Sequence, residues 1–271
     1  MAIELAGVRY RYAGAQRDCL RGIDLRLEPG RVLGIAGANE SGKTTLCLAS
    51  GGFAPVVVGG WLEGSATIDG ERTTSLPAHA LAQRCGLMFQ DAATQLTGTT
   101  TTVFEEVAFG PCGLGLPADE VVARVEWAME AVGIADLAPR SPGRLSGGQA
   151  QLVALASVLA LRPRYLLLDE PTSELDPAGT ALVAFALLRV AAETGAGILL
   201  VEHKTGVLAR VAHEVMVLAD GAVALCGKAA EVLGDPRLVD LGVEPPDEIH
   251  LRREVEAAGL PWPATVDGVP A

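Results

Sequence analysis

The stretch GANESGKTT, residues 37–45, constrains the fold more than any other part of this 271-residue chain. It carries the spacing G-x-x-x-x-G-K-[ST], follows the apolar run Val32 to Ala36 and precedes KTTLCLASGGF, which has helical character. A strand feeding through a glycine-rich loop into a helix turns backbone N–H groups toward a phosphate, and the helix N-terminus favours negative charge. Gly37, Asn39, Glu40, Ser41 and Gly42 supply the cradle. Lys43 is placed to reach β- and γ-phosphates, Thr44 to ligate Mg²⁺, and Thr45 continues the nucleotide contact. Glu40 is an acid in a loop meant for anions. It stands at a free x position, where only the backbone donates. An exposed carboxylate there should repel the nucleotide by about 1 kcal/mol or less, so the loop is expected to work.

Two further apolar runs, YLLLDE (165–170) and GILLVEH (197–203), end in acidic residues or His. Short, fully apolar strands of this kind fit a buried parallel sheet whose C-terminal ends carry chemistry. Asp169 can hold Mg²⁺, and Glu170 can orient or deprotonate an attacking water. An acidic pair after an apolar strand is common and means little alone. LSGGQ (145–149) adds weight: a serine and two glycines at a helix start form another anion site from free N–H groups and a hydroxyl. A chain with two separated phosphate-binding elements suggests a shared site, with two chains head to tail holding nucleotide between them.

Around these elements, AIELAGVRYRY reads as a strand, and IDLRLEPGRVLGIAG as strand, turn at Glu28-Pro29-Gly30, and strand. SATIDGERTT gives a short strand and turn, and Pro77 to Gln90 a helix leading into CGLMFQ. Residues 91–164 show helical periodicity without clear strands. VMVLADGAVALCG reads as a hairpin turning at Asp220-Gly221. After Gly227 the tail is helical in patches, with a Pro-rich end, LPWPATVDGVPA, expected to be loose.

The formal net charge of −12 argues against broad nucleic-acid binding, which needs clustered Lys and Arg. It argues equally against direct adhesion to an anionic membrane. The start shows no basic-then-apolar leader, and no uncharged apolar run reaches about 18 residues. A soluble chain is expected, with any membrane role exercised through a partner. Five cysteines, scattered and odd in number, read as reduced thiols.

The run LSGGQAQLVALASVLALRPRYLLLDEPTSELD closely resembles the ATP-binding-cassette ATPases, and the order of phosphate loop, Gln90, LSGGQ, LLLDE, SELD and His203 matches over roughly residues 2–227. The resemblance implies an α/β P-loop (RecA-like) core with an N-terminal antiparallel β subdomain and a helical signature subdomain at about 91–164. A helical tail at 228–271 follows. It implies ATP and Mg²⁺ as ligands, with Lys43, Gln90, Glu170 and His203 as the catalytic set. Tyr12 looks like the residue that stacks on adenine, with Tyr10 near enough to compete. Gln90 would touch Mg²⁺ or the attacking water, and His203 the γ-phosphate. Ser146, Gly147, Gly148 and Gln149 would grip nucleotide held by the opposite subunit, and Asp176 would lie in the loop crossing the dimer interface. The family usually has Gly where this chain has Glu40, and a small residue where it has Glu174.

FQDAATQLTGTTTTVFEEVAFGPCGLGLP and the tail AAEVLGDPRLVDLGVEPP are similar to the energy-coupling-factor ATPases, importers of cobalt, nickel and vitamins. Ala92 stands where that group carries Pro and Thr97 where it carries Phe. VEHK (201–204) resembles the thiamine-precursor versions. The implied partners are a second cassette, identical or different, a transmembrane coupling protein and a substrate-capturing membrane protein, placing the chain at the cytoplasmic face of the membrane. The alternative within transport is a conventional importer or exporter ATPase. Nucleic-acid-maintenance cassettes carry a long coiled coil between Gln90 and the signature; only about fifty residues lie there, without heptads. Non-hydrolysing regulatory cassettes would lack Glu170 or His203.

Overall fold

The computed structural model describes residues 1–258 and 260, with the backbone of 265–266 and 269–270. Strand β1 (Ile3–Arg11) buries Ile3, Leu5, Val8 and Tyr10. Its alternation breaks once, at a register shift between Leu5 and Val8. It pairs antiparallel with β2 (Leu20–Leu27) and β4 (Trp61–Ile68), and β5 (Glu71–Arg72) completes the order β2-β1-β4-β5. β4 starts earlier than the pattern SATIDG suggests, because Trp61 already pairs with Arg11.

The second sheet has the order β10-β9-β3-β8-β7-β6. β3 (Val32–Gly37), β7 (Tyr165–Asp169) and β8 (Gly197–Val201) are buried at every residue. Strands covered on both faces need no polar alternation, which is why these segments are unbroken apolar runs. β6 (Cys85–Met88) and β9 (Glu214–Ala219) run parallel to them at either side. β6 stops before Phe89 and Gln90, leaving both exposed beyond the sheet. β10 (Ala222–Lys228) returns antiparallel to β9 through Asp220 and Gly221, whose φ of 48° and 76° are those of a two-residue hairpin turn.

The helices are α1 (Lys43–Ser50), α2 (Phe53–Val56), α3 (Ala78–Arg84), α4 (Val103–Gly113), α5 (Ala118–Ala131), α6 (Gly147–Ala160), α7 (Pro177–Thr194), α8 (Thr205–Val211), α9 (Ala229–Leu233) and α10 (Asp247–Ala257). α1 ends short of Phe53 because Gly51 and Gly52 follow it, the latter at φ 73°. α4 and α6 open on reciprocal capping boxes, Thr102 with Glu105 and Ser146 with Gln149. α6 is apolar almost all round and correspondingly buried.

β7 divides the interior. Leu166 and Leu168 face a cluster that includes Val107 of α4, Val125 of α5 and Leu155 of α6, while Leu167 faces β1, β2 and α1. The helices of the 91–164 insert therefore share one core with the six-stranded sheet. The tail returns to the same body: Leu238 and Val243 are buried in that cluster, and the Thr205 hydroxyl donates to Glu244 O at 2.8 Å. Thr265–Val266 pairs with Val269–Pro270; most of LPWPATVDGVPA lies outside the described residues.

Candidate active site

The C-terminal end of β3 delivers the glycine-rich loop. Gly37, at φ 153°, lies so close to β9 that a Cβ would meet Leu218 O at 2.5 Å, and Gly42 takes φ 101°. Glu40 is exposed, as the sequence led us to expect, and its φ is 62°. The loop thus demands a left-handed residue where glycine is the unstrained choice. The left-handed region costs an L-residue about 1–2 kcal/mol, partly offset by glycine's larger freedom in the unfolded chain. Glu40→Gly is expected to raise stability by up to about 1 kcal/mol and to leave ATP turnover essentially unchanged. Denaturant unfolding and an ATPase assay check this; a large loss of turnover would mean the carboxylate participates.

Lys43, 6% exposed, folds back over the loop and donates from Nζ to Gly37 O at 2.9 Å and Ala38 O at 2.7 Å. Burial lowers its pKa, against the nearby Glu170 and Asp169 carboxylates. The Ser41 hydroxyl is buried with no partner. Thr44 is exposed at the loop mouth and lies against Asp169.

Asp169, at the end of β7, has one buried carboxylate oxygen, Oδ1, without a hydrogen-bond partner. Burial pushes its carboxyl up, opposed by the Thr44 hydroxyl and the Lys43 ammonium. An orphaned acceptor beside a hydroxyl, with one neighbouring cation, fits a small hard divalent ion. Mg²⁺ takes one or two protein oxygens and completes its shell with phosphate oxygens and water. Among the described residues no three His, Cys, Asp or Glu side chains gather into an all-protein cage.

Glu170 follows at φ 51°, a left-handed conformation that aims its side chain out of the strand line. Gln90 Nε2 donates to its Oε2 at 2.9 Å, and His203 Nε2 lies 3.0 Å from its Oε1. Gln90 comes from beyond β6 and His203 from beyond β8, so three parallel strand ends converge on one carboxylate. Lys43, Asp169, Glu170, Gln90 and His203 are thus brought together, as the sequence predicted. Gln90 contacts Glu170 here rather than Thr44 or Asp169.

The structure sets Tyr10 and Tyr12 in different surroundings. Tyr10 is fully buried, its hydroxyl bonded to Gly59 O, and cannot stack on a base. Tyr12 is half-buried beyond the end of β1, and its hydroxyl sits 3.0 Å from Thr45 Oγ1, on the first turn after the loop. It keeps the position expected for adenine contact.

Ser146, Gly147, Gly148 and Gln149 form the start of α6, with Ser146 and Gly147 exposed, and make no hydrogen bond to the phosphate loop of their own chain among the described residues. Asp176 caps α7 through Gly179 N at 2.7 Å and is likewise exposed. Ser146, Gly147 and Asp176 are thus open to solvent, with Gly148 and Gln149 half-buried behind them. The Glu174 side chain lies over the signature: a Cβ on Gly147 would meet its Oε2 at 3.3 Å.

Sequence reasoning missed the residues that hold this site. Gln151 donates to Glu170 O at 2.9 Å and Ser173 Oγ at 3.1 Å, and accepts from Glu174 N at 2.8 Å. Glu202, 2% exposed, accepts from Thr172 N and Oγ1. Burial raises its pKa, and the bonds from Thr172 oppose the shift. Lys204 also bonds the 170–180 segment. A Gln four residues beyond Gly147, in an apolar helix, was the one signal in the sequence: a buried amide needs partners.

Known proteins carry the same organisation. The ABC transporter family matches residues 20–173. The nickel import ATP-binding protein NikO of Rhodobacter capsulatus is 41% identical over 242 residues, covering 88% of this chain and 93% of that protein. The energy-coupling factor transporter ATP-binding protein EcfA1 of Symbiobacterium thermophilum is 37% identical over 269 residues, 96% of this chain and 91% of its own length. The structure of CbiO1 from Clostridium perfringens, part of the ABC transporter complex CbiONQ, superposes with a TM-score of 0.77 at 28% identity, covering 95% of this chain and 98% of that one. With its phosphate loop, its signature and its converging strand ends, the chain belongs to the ABC transporter family, as an ATP-hydrolysing cassette.

Proposed function

We propose that the chain energises an importer of the energy-coupling-factor type, taking up a vitamin or a transition metal ion. The observation carrying this reading is the reach of the similarity into the tail. EcfA1 and CbiO1 align over 96% and 95% of the chain, well past residue 173, where the family match ends. NikO, named for nickel import, supports a metal ion as one solute class. Two cassettes would close on two ATP molecules, each loop facing the other chain's signature, and hydrolysis would reopen them.

In the reaction, Lys43, the loop N–H groups and Thr45 hold the nucleotide, Tyr12 the base, and Ser146 to Gln149 the partner's phosphates. Thr44 and Asp169, with Gln90 nearby, would hold Mg²⁺, which neutralises charge on the β- and γ-phosphate oxygens. Glu170 accepts the proton of the attacking water, held in place by Gln90 and His203. His203→Ala removes both that support and a phosphate contact; turnover is expected to fall about 100-fold with ATP still bound. If steady-state turnover stays near wild type, His203 is only structural.

A membrane partner has a place to engage. A groove of about 460 Å³ runs beside Gln90's strand, lined by Phe53, Phe89, Gln95, Phe109 and Leu161. Phe109 is 56% and Phe89 44% exposed, an apolar pair suited to a helix from a coupling protein. The test is uptake in the source organism carrying Glu170→Gln at the native locus. High-affinity accumulation of one member of a panel of radiolabelled Ni²⁺, Co²⁺ and vitamins is expected to be lost. Unchanged uptake across the panel would overturn the importer reading.

A further inference from the structure

Three consecutive residues at the end of β8 each hold a different part of the segment from Glu170 to Thr180. Glu202 Oε1 accepts from Thr172 N at 3.1 Å and Thr172 Oγ1 at 2.6 Å. His203 Nε2 meets Glu170 Oε1 at 3.0 Å. Lys204 Nζ donates to Thr172 O at 2.7 Å, Leu175 O at 3.0 Å and Thr180 Oγ1 at 3.1 Å. An ammonium has three donor hydrogens and no acceptor, so these three oxygens use its full capacity. Two are main-chain carbonyls of the loop joining the catalytic carboxylate to Asp176; the third lies in the first turn of α7.

The opposite side of the loop is held by Gln151 of the signature helix, through Glu170 O, Ser173 Oγ and Glu174 N. The loop is therefore fixed between Glu202, His203 and Lys204 on one side and the signature helix on the other, with Glu170 at one end and the exposed Asp176 at the other. Lys204 makes no hydrogen bond to the phosphate loop among the described residues. Its ammonium reaches the reaction through the loop and the first turn of α7, and its backbone through the peptide link to His203.

We infer that Lys204 is a positioning residue for ATP turnover, holding the Glu170–Asp176 loop and His203 as one body. The inference rests on the assignment of Glu170 and His203 to hydrolysis. Without the ammonium, the carbonyls of Thr172 and Leu175 lose a charged donor and the loop is free to shift. A displacement of the order of 1 Å at reacting groups is enough to cost up to about 100-fold in rate.

The test uses full-length chain in the dimer that turns over ATP. Lys204→Met keeps the aliphatic stem and removes the charge. Its kcat is expected to fall about 10-fold or more, with the affinity for a fluorescent ATP analogue within about 2-fold of wild type. Hydrogen exchange at the Ser173 to Asp176 amides should quicken. Thr180→Val removes one acceptor and should give a smaller loss, one that disappears in the Lys204→Met background. Lys204→Arg should restore only part, because a planar fork cannot converge on three acceptors arranged around a point charge. Unchanged kcat in Lys204→Met overturns the inference. So does a parallel loss of binding, turnover and melting temperature, which is the mark of general unfolding. A wild-type dimer that binds ATP without hydrolysing it would instead refute the ATPase assignment, a separate result.

Discussion

Glu170→Gln is expected to cripple ATP turnover and to leave ATP bound. The carboxylate is held from two sides, by Gln90 Nε2 at 2.9 Å and His203 Nε2 at 3.0 Å. A carboxamide of the same shape can keep one oxygen against one of these donors, and the Gln90 amide can flip to accept from the new NH₂. The site therefore keeps its form but loses its base. General-base catalysis by a positioned side chain contributes about 100- to 10,000-fold, so kcat is expected to fall within that range while the affinity for Mg-ATP changes little. A trapped, ATP-loaded chain should also close. Size-exclusion chromatography with light scattering should show a dimer in Mg-ATP and a monomer without it. On the proposed head-to-tail closure, Glu174, whose carboxylate lies over Gly147, would swing aside for the partner's phosphate. It sits on an exposed loop, so that movement costs little beside the phosphate hydrogen bonds it permits. An ATP-bound chain that stays monomeric would mean either that the second cassette is a different protein or that closure needs the transmembrane protein. Near-normal turnover would remove Glu170 from the base role altogether.

What the sequence made legible was local. The phosphate loop is written between an apolar strand and a helix, and Asp220-Gly221 lies between two short strands, so nearest neighbours determine both. LLL and ILLV declare themselves because a strand covered on both faces is apolar along its length, with polar residues left to its end, as at Asp169. The Tyr10–Tyr12 choice was not legible, since residues two apart share a face of any strand. What separates them is that β1 ends at Arg11, so Tyr12 emerges beyond the sheet while Tyr10 is fully buried beneath it. The loop from Glu170 to Asp176 is held by Gln151, Glu202 and Lys204, each reaching it across 19 to 32 positions of sequence. No periodicity encodes such contacts. Gln151 reads as a polar interruption of an apolar helix, and Glu202 as a strand's polar end. Only the fold shows that both are buried where they bond main chain. The helical periodicity at 91–164 does not say what its apolar faces pack against; β7 and β8 share their core.

Lys43→Ala is expected to abolish tight ATP binding, and the reason lies in where the ammonium rests. Nζ is buried against two carbonyls of its own loop, Gly37 O and Ala38 O, while burial lowers its pKa. Glu170 and Asp169 oppose that shift from near the strand ends, yet the hydrogen bonds of Nζ go to neutral carbonyls. A triphosphate offers anionic oxygens in the same cradle, so moving from carbonyls to phosphates exchanges neutral acceptors for charged ones. Hydrogen bonds to charged groups contribute about 1.5–3 kcal/mol each. Losing two such bonds predicts an affinity loss of about 100-fold or more. Alanine leaves the backbone donors, Ser41 and the helix N-terminus in place, so weak binding persists and the fold survives. Isothermal titration with Mg-ATP reads the loss directly, and thermal unfolding without nucleotide establishes that the variant is intact. Wild-type affinity in a folded variant would mean that this loop does not hold the phosphates. The glycine spacing, the orphaned Asp169 oxygen and the converging strand ends would then need another ligand.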